Sequence, residues 1–512
     1  MPPPRVLVLM PQRGSPFIEQ DLRLLDAFCQ VRPLPFQGVR TWRTAARVLR
    51  ALIYRQVDLL VLWFIYPKIA PLATVLARAF GVPVVAITGG GDATYVPAIA
   101  WGWMGDPSAR QQFRLVARLA NLVLPFSEAA RAEVLRYAPG ARARTFYPGI
   151  DTRRFRPGDH QRGNVLTVCY AIDHRTIEQK GLRYFLDIAR RLPEVPFVLA
   201  GAVAESYRPT LEAMLPGNVR LTGRLSDADL LASYQTASVY VQLSAHEGFG
   251  IAVAEAMACG CIPVVSDQGA LPEVVGVCGD VVPFGDSAAA AAAVRRALNA
   301  DERQRADARE RISTAFPIER RREGWRTLLR HFGLDIDKVR VDLGCGSNKH
   351  PGVLGVDRRP TAAVNLVSDL ERLALAAGTV DEIWGTCILE HFEDPYLVLD
   401  QVVRALRPDG VATFRLPNLG TYSAHLDPTH RFLADLRLWR EVLSGYFAEV
   451  TVVPLGTKYR DNPLLVRIND LLVRRLKFYE LAQGWDFICR RPQPHPERRY
   501  TPWYLERHNE AP

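Results

Sequence analysis

Glu247-Gly248-Phe249-Gly250-Ile251-Ala252-Val253-Ala254-Glu255 is the stretch on which the fold is decided. Two glutamates flank seven residues, and Gly-Phe-Gly follows the first. The apolar run 239–242 before it has the length and residue types of a buried strand, and 251–258 after it is rich in helix formers. A strand, a glycine turn and a helix in this order leave free N–H groups at the helix start, where the backbone dipole favours a diphosphate. The glycines let a ligand approach the main chain closely. Glu247, before the turn, can then reach a sugar. Glu255, inside the helix, can accept hydrogen bonds from ribose hydroxyls. Glu-x7-Glu spacing alone also fits two surface glutamates. The glycines inside it, and the return to a buried strand through Ala258-Cys259-Gly260-Cys261-Ile262-Pro263-Val264-Val265, favour a site.

Upstream, Arg175-Thr176-Ile177-Glu178-Gln179-Lys180-Gly181 follows an apolar run at 166–170 and precedes a helical pattern over 181–191. An arginine and a lysine five residues apart on one loop can clamp a diphosphate and neutralise leaving-group charge. Further out, short Val/Leu/Ile runs alternate with amphipathic segments. Strands are predicted at 5–10, 57–63, 82–88 and 121–125, then at 166–170, 197–200, 219–221, 239–242, 262–265 and 280–282. Helices are predicted at 42–54, 70–80 and the alanine-rich 287–298. Such alternation implies parallel sheets covered on both faces. The Pro/Gly-dense stretch 147–159 reads as a linker between two sheets, and 318–332 as a basic amphipathic helix.

As a set, these features resemble the family 4 retaining glycosyltransferases of the GT-B fold. The resemblance rests on Arg175-x4-Lys180-Gly181, Gly201, Gly223, the Glu247–Glu255 motif with Ala256-Met257-Ala258-Cys259-Gly260, Pro263-Val264-Val265, and Pro148-Gly149-Ile150-Asp151-x3-Phe155-x-Pro157. It implies two facing Rossmann-like domains. The nucleotide diphosphate-sugar would be held by Arg175, Lys180, Glu247, Gly248, Phe249, Gly250 and Glu255, with Gly14 in the turn after the first strand. A C-terminal helix would cross back onto the first domain. No metal is expected, since Arg175 and Lys180 do the neutralising. One departure stands out: relatives often carry a histidine after the strand equivalent to 82–88, and here the chain reads Thr88-Gly89-Gly90-Gly91-Asp92-Ala93-Thr94-Tyr95. Asp92 is the expected substitute for some of those polar contacts. Retention by front-face attack lets the leaving phosphate take the proton, so the mechanism survives without the histidine.

A third strand–turn pattern begins at Val341-Asp342-Leu343-Gly344-Cys345-Gly346-Ser347-Asn348. A second run, Val353-Leu354-Gly355-Val356-Asp357, ends in a carboxylate placed to hold ribose hydroxyls. Nicotinamide binding shares this logic. Two later features favour S-adenosylmethionine (SAM). Ser368-Asp369-Leu370 offers a carboxylate for an adenine amino group. Asp381-Glu382-Ile383-Trp384 then leads through Leu389-Glu390-His391-Phe392-Glu393-Asp394-Pro395 to Arg404-Ala405-Leu406-Arg407-Pro408-Asp409-Gly410. Residues 338–455 thereby resemble the class I SAM methyltransferases that act on small molecules and glycans. The resemblance implies a SAM site of Asp342, Gly344, Cys345, Gly346, Asp357, Asp369 and Leu370. His391 is expected to anchor a loop. His430, in Asp427-Pro428-Thr429-His430, is the candidate base for a sugar hydroxyl.

Composition agrees with several soluble domains: 512 residues, 48% hydrophobic and 23% charged. The net charge of +10 is concentrated in residues 1–157, which hold 21 Lys/Arg against 9 Asp/Glu. That excess fits either an arginine-rich, GC-biased coding preference or attraction to an anion, a phosphorylated lipid or an anionic membrane surface. Nucleic acid is disfavoured, because no helix-turn-helix, zinc-finger or RNA-recognition spacing is found. Eight scattered cysteines without paired zinc spacing suit a reducing compartment. The start shows no signal-peptide pattern, and the apolar stretch 59–67 falls short of the about 20 residues a bilayer span needs. A cytoplasmic location, with peripheral contact at the inner face of the membrane, is expected.

The expected organisation is an acceptor domain over 1–160, with 316–334 returning onto it, and a nucleotide-sugar domain over 161–315. A methyltransferase domain over 336–456 follows, and then an extension over 457–512 with an amphipathic stretch at 464–481. The expected function is bifunctional: retaining transfer of a sugar to a glycan or lipid-linked acceptor, and methylation of a glycan or glycolipid hydroxyl, in surface polysaccharide or glycolipid biosynthesis. The rivals are a methyltransferase acting on lipid, protein or RNA, and a degenerate glycosyltransferase half that serves only to bind.

Overall fold

Fully buried apolar runs form the centres of the sheets, because parallel strands covered on both faces admit no polar side. In the first sheet these are β1 (Arg5–Pro11), β2 (Gln30–Phe36), β3 (Leu59–Trp63), β4 (Val84–Thr88) and β5 (Leu122–Pro125). Every residue of β3 and β4 is buried. The sheet order is β2-β1-β3-β4-β5, with β1, β3, β4 and β5 parallel. The chain is seen here as a computed structural model describing residues 4–11, 16–36, 41–65, 68–159, 161–350, 352–418, 427–455 and 482–498. Gly14, the stretch 464–481 and the tail beyond 498 lie outside the described residues.

The second sheet contains β6 (Asn164–Ile172), β7 (Phe197–Val203), β8 (Val219–Gly223), β9 (Ala237–Gln242), β10 (Ile262–Ser266) and β11 (Asp280–Val282). Its order is β11-β10-β9-β6-β7-β8, all parallel. Counted from its own first strand this is 3-2-1-4-5-6, the doubly wound order whose ligand crevice opens where the direction of winding reverses, here between β6 and β9.

The third sheet contains β12 (Arg340–Leu343), β13 (Leu354–Asp357), β14 (Leu366–Val367), β15 (Val380–Thr386), β16 (Leu406–Pro417), β17 (Phe447–Leu455) and β18 (Gly484–Pro492). The order is β14-β13-β12-β15-β16-β18-β17. Strands β12 to β16 pair in parallel, whereas β18 runs antiparallel to both β16 and β17. The reversal of winding falls between β12 and β15. The chain divides into two compact units: Pro4–Leu25 with Val31–Leu334 make up the first, and Asp335–Pro512 forms the body of the second.

Three strands escape the sequence reading: the two-residue edge strand β14, β2 and β18. β2 carries Pro33 and Pro35, which weaken its strand pattern; it sits at a sheet edge, where proline is tolerated. β18 lies beyond the boundary expected at 456, yet it completes the third sheet. Trp485, Phe487 and Cys489 alternate into the core, and its partners β16 and β17 are distant in sequence.

In the first unit, the helix Ile318–His331 returns to the first sheet's side of the fold. Arg321 forms a two-point ion pair with Asp21 (Nε–Oδ1 2.9 Å, Nη2–Oδ2 2.6 Å), donates to the carbonyls of Phe146 and Tyr147, and lies 3.9 Å above the Phe146 ring. Trp325 Nε1 donates to the same Asp21 carboxylate at 3.0 Å. Both charged partners are buried. A buried pair is costly to break from one side because the survivor keeps its desolvation penalty. Asp21→Ala should therefore destabilise the first unit by about 3–5 kcal/mol in urea unfolding. A loss below about 1 kcal/mol would show that the two carbonyls alone satisfy Arg321.

Candidate active sites

In the first unit, the loops after β6 and β9 meet at the switch point. Gly181 lies in the left-handed region (φ +63°), and a Cβ there would stand 1.8 Å from the Leu243 carbonyl oxygen. Only glycine lets the two loops lie together. The approach places Lys180 Nζ 2.6 Å from Glu247 Oε1, and the same oxygen accepts from Gln242 Nε2 (2.6 Å) and Ser244 Oγ (2.8 Å). Burial disfavours the Lys180 charge, but the Glu247 carboxylate outweighs it and raises the pKa. Burial likewise opposes the Glu247 charge, and Lys180, Ser244 and Gln242 hold its carboxyl below the usual range. Both groups are thus charged at neutral pH, and Glu247 Oε2 takes none of these three bonds.

The following helix, Ile251–Ala258, begins at Gly250 with no side-chain cap, so its first N–H groups are available to an anion. Glu255, the fifth residue of that helix, accepts from the Tyr234 hydroxyl at 3.0 Å. Burial lifts its carboxyl to about 7. Arg175 caps the short helix Thr176–Gln179 and is exposed; its side chain makes no ion pair among the described residues. Phe249 is buried, with its ring 5.1 Å from that of Phe316. The structure therefore joins Lys180 to Glu247, places Glu255 one turn further along the helix, and leaves Arg175 on an exposed turn.

The opposite wall comes from the first sheet. A Cβ on Gly248 would stand 2.2 Å from the Gly89 carbonyl oxygen, so the Gly-Phe-Gly turn abuts the loop after β4 through bare backbone. Asp92, expected to supply polar contacts here, is buried and bonded to main-chain N–H groups of its own loop and of the segment after β3. Its carboxylate accepts the N–H groups of Ile65 (3.2 Å), Gly89 (3.1 Å) and Gly90 (3.2 Å), and burial raises it to about 6. It shapes the glycine loop.

An imidazole reaches this wall from another loop. His246 Nε2 lies 3.0 Å from Glu133 Oε2, on the helix Glu128–Tyr137, and Thr94 Oγ1 donates to Glu133 Oε1 at 2.8 Å. The Trp101 ring lies 5.7 Å away. His246 escaped the sequence reading because its partner is 113 residues distant; adjacency to Glu247 was the available signal. Nearby, Glu273 accepts the Tyr147 hydroxyl (2.6 Å) and the N–H groups of Glu128 (3.0 Å) and Ala129 (3.3 Å). A carboxylate from the second-sheet half thus occupies a helix N-terminus in the first.

In the second unit, the turn after β12 is left-handed at Gly344 (φ +65°) and Gly346 (φ +54°), and a Cβ on Gly346 would meet nothing within 4 Å. Asp357, at the end of β13, accepts from Gly346 N (2.9 Å) and Arg359 N (2.9 Å). Burial opposes its charge, but these N–H groups and Arg359 keep its carboxyl below the ordinary range. Asp342 is buried, and its Oδ2 accepts both the main-chain N–H of His350 (2.7 Å) and its Nδ1 (2.8 Å). This bond raises the His350 pKa, and the imidazole stacks on Trp384. Cys345 and Leu370 are buried, while the exposed Asp369 caps a 3-10 turn through Glu371 N at 3.0 Å.

The described residues between β12 and β13 contain no helix. A dinucleotide site would use such a helix N-terminus for pyrophosphate, and the Gly-x-Gly here has no third glycine. A phosphate-free cofactor suits this turn better. His391 and His430 come together on the same side, with ring centroids 4.9 Å apart; the His430 side chain is 7% exposed.

Comparisons with known proteins follow this division. Residues 5–154 match the family described as Glycosyltransferase Family 4, residues 169–314 the one described as Glycosyl transferases group 1, and residues 325–414 a Methyltransferase domain. The chain is 31% identical over 200 residues to MMP alpha-(1->4)-mannosyltransferase of Mycolicibacterium hassiacum, covering 36% of this chain and 48% of that protein. It is 29% identical over 281 residues to the GDP-mannose-dependent alpha-(1-6)-phosphatidylinositol monomannoside mannosyltransferase of Mycolicibacterium smegmatis, covering 49% of this chain and 69% of that protein. The chain thus spans about half the length of the first of these relatives. Sucrose-phosphate synthase from Thermosynechococcus elongatus shares the fold, with a TM-score of 0.54 at 16% identity over 64% of this chain and 99% of that one. Its sheets, motifs and matches together make this chain a member of the family 4 glycosyltransferases of the GT-B fold, continued by a Rossmann-like methyltransferase domain.

Proposed function

We propose that the chain transfers a sugar from a nucleotide diphosphate-sugar with retention, and methylates a glycan or glycolipid hydroxyl with SAM, in surface polysaccharide or glycolipid biosynthesis. The observation that carries the first half is the meeting of Lys180, Glu247 and an uncapped helix start at the switch point. Lys180 and Arg175 neutralise the diphosphate, and the helix start receives it. Glu255 accepts ribose hydroxyls, and Glu247 Oε2 orients the donor sugar. The leaving phosphate takes the proton of an acceptor hydroxyl on the same face, which is what retention requires. The His246–Glu133 pair, on the opposite wall, orients the acceptor. Relatives named as mannosyltransferases support a hexose donor.

For the second half, SAM supplies an electrophilic methyl group. Asp342, Gly344, Cys345 and Gly346 would hold its methionine part, Asp357 its ribose, and Asp369 and Leu370 its adenine. The open space at Gly346 and the position of Asp357 fit such a ligand. We assign 1–160 with 316–334 to the acceptor, 161–315 to the nucleotide-sugar, and 336–492 to methyl transfer. The helix Thr41–Ile53 exposes Trp42 and Ile53, with Tyr54 just beyond, beside Arg43, Arg47 and Arg50. An apolar and basic face of this kind supports peripheral contact with an anionic cytoplasmic leaflet and a lipid-linked acceptor. No described helix is long and apolar enough to cross a membrane.

A thermal-shift panel of UDP, GDP, dTDP, CDP and S-adenosylhomocysteine tests both sites. A ligand at 100 times its Kd stabilises its unit by about 2.7 kcal/mol. One nucleotide and S-adenosylhomocysteine should each raise a transition. A response to S-adenosylhomocysteine alone would reduce the first unit to a binding module.

Two variants separate the activities. Lys180→Met should lower sugar transfer by about 10²–10³-fold and leave methylation unchanged. Asp357→Ala should do the reverse. Loss of both activities from either folded variant would contradict two independent sites.

Donor affinity should also depend on pH. Ribose hydroxyls donate to the ionised Glu255 carboxylate, so protonation competes with them. With the free carboxyl at about 7, nucleotide-sugar binding should strengthen about tenfold from pH 6 to pH 8. Glu255→Gln should flatten that profile in calorimetric titrations, and an unchanged slope would remove Glu255 from the ribose site.

A further inference from the structure

The loop after β15 and the segment following β16 bring three metal-binding side chains together in the second unit. Glu390, His391 and His430 each offer one ligand atom, and these atoms lie within 4.8 Å of one another. Glu390 is the unusual member. It is 1% exposed, its carboxylate is approached by its own main-chain N–H and the Cys387 thiol, with the His430 ring close by, and neither oxygen makes a hydrogen bond of full geometry among the described residues. Buried carboxylates are ordinarily paired, hydrogen-bonded or bound to a cation.

His391 is held in the form that binds metals. Its Nδ1 lies 2.9 Å from Thr429 Oγ1, and that hydroxyl also bonds to Asp427 Oδ1. A hydroxyl has one proton, and Asp427 accepts it, so Nδ1 must be the donor to Thr429. In the neutral imidazole Nε2 then carries the lone pair. A ring nitrogen tied through a hydroxyl to a carboxylate is the arrangement that orients metal-ligating histidines. The second imidazole, His430, packs with its ring centroid 4.9 Å from that of His391.

We propose that Glu390, His391 and His430 form a binding site for one divalent transition-metal cation, zinc by preference, with a coordination position left for a hydroxyl ligand. Two histidines and a glutamate are a ligand set of zinc sites that keep a position open to water or substrate. The loop after β15 stands beside the turn after β12, at the reversal of winding where the crevice of this sheet lies. A hydroxyl bound there would release its proton to water at lower pH than a free one. The use of that acidity rests on the methyl-transfer reading, whereas the cation site itself does not. The reading also replaces His430 as base by His430 as ligand, consistent with its burial.

The test uses the full chain, dialysed against EDTA and then titrated with zinc chloride and, separately, cobalt chloride. Bound metal is read by equilibrium dialysis with elemental analysis and by the visible absorption of cobalt. The expected result is one equivalent of zinc per chain, competing with cobalt for the same site. His391→Ala and His430→Ala should each weaken zinc binding more than a hundredfold. Glu390→Gln, which preserves volume, should weaken it at least tenfold. Thr429→Val, which removes only the orienting hydroxyl, should cost about 10–100-fold. Cooperative melting of the second unit reports that each variant is folded. Absence of stoichiometric zinc in the parent protein, or parental affinity in the folded variants, overturns the site. Zinc binding without any response to S-adenosylhomocysteine leaves the site standing and overturns the methyl-transfer reading.

Discussion

Every chemical feature of this chain depends on one constraint of parallel sheets: a crevice opens only where the winding reverses direction. In the second sheet that place lies between β6 and β9, and in the third between β12 and β15. The loops leaving those four strands carry Lys180, Glu247, the Gly344–Gly346 turn, and Glu390 with His391. Strand interiors are mostly buried and apolar and hold the loops, while the ends of β12 and β13 add the carboxylates of Asp342 and Asp357. The glycines matter because two loops must share one narrow opening. A Cβ on Gly181 would strike the Leu243 carbonyl, and without that contact Lys180 could not sit on Glu247.

The Lys180–Glu247 pair sets the electrostatics of the first site. A lone buried ammonium would lose its charge, and a lone buried glutamate would take a proton. Paired, each keeps the other ionised, and Gln242 and Ser244 spend their donors on the same oxygen. The charge is thus present before any diphosphate arrives, so little reorganisation is needed when leaving-group charge develops. Glu255, one turn along, lacks a cationic partner of this kind. Among the described residues only the Tyr234 hydroxyl bonds to its carboxylate, and burial raises its pKa. Two glutamates of one motif therefore differ in charge at neutral pH because their neighbours differ.

What the sequence reveals and what it conceals divides by distance along the chain. The strand–glycine–helix units were legible because their parts are contiguous, and so was the alternation that makes the sheets parallel. β18 was not, since its evidence is pairing with β16, seventy-odd residues earlier, and with β17. His246 lies next to Glu247, yet its meaning depends on Glu133 and Trp101 from the first sheet's half. The setting of Asp92 is hidden for the opposite reason: a carboxylate beside three glycines bonds to the N–H groups of its own loop. Local hydrogen bonding of that kind competes with any role toward a ligand and leaves no mark in residue spacing.

The two proposed reactions treat a hydroxyl proton differently, and this bears on the cluster that the second unit holds. Sugar transfer with retention produces a diphosphate, an anion beside the acceptor oxygen that can take its proton. On this proposal the first site needs cations more than a base, the part proposed for Lys180 and Arg175. Methyl transfer from a sulfonium produces a neutral thioether, which is too weak a base to take a proton. A site for that reaction must acidify the hydroxyl or provide a proton acceptor from the protein. Asp342 is occupied by His350, and Asp357 by Gly346 and Arg359. Glu390, His391 and His430 lie together on that edge, and the proposed cation held there would acidify the hydroxyl.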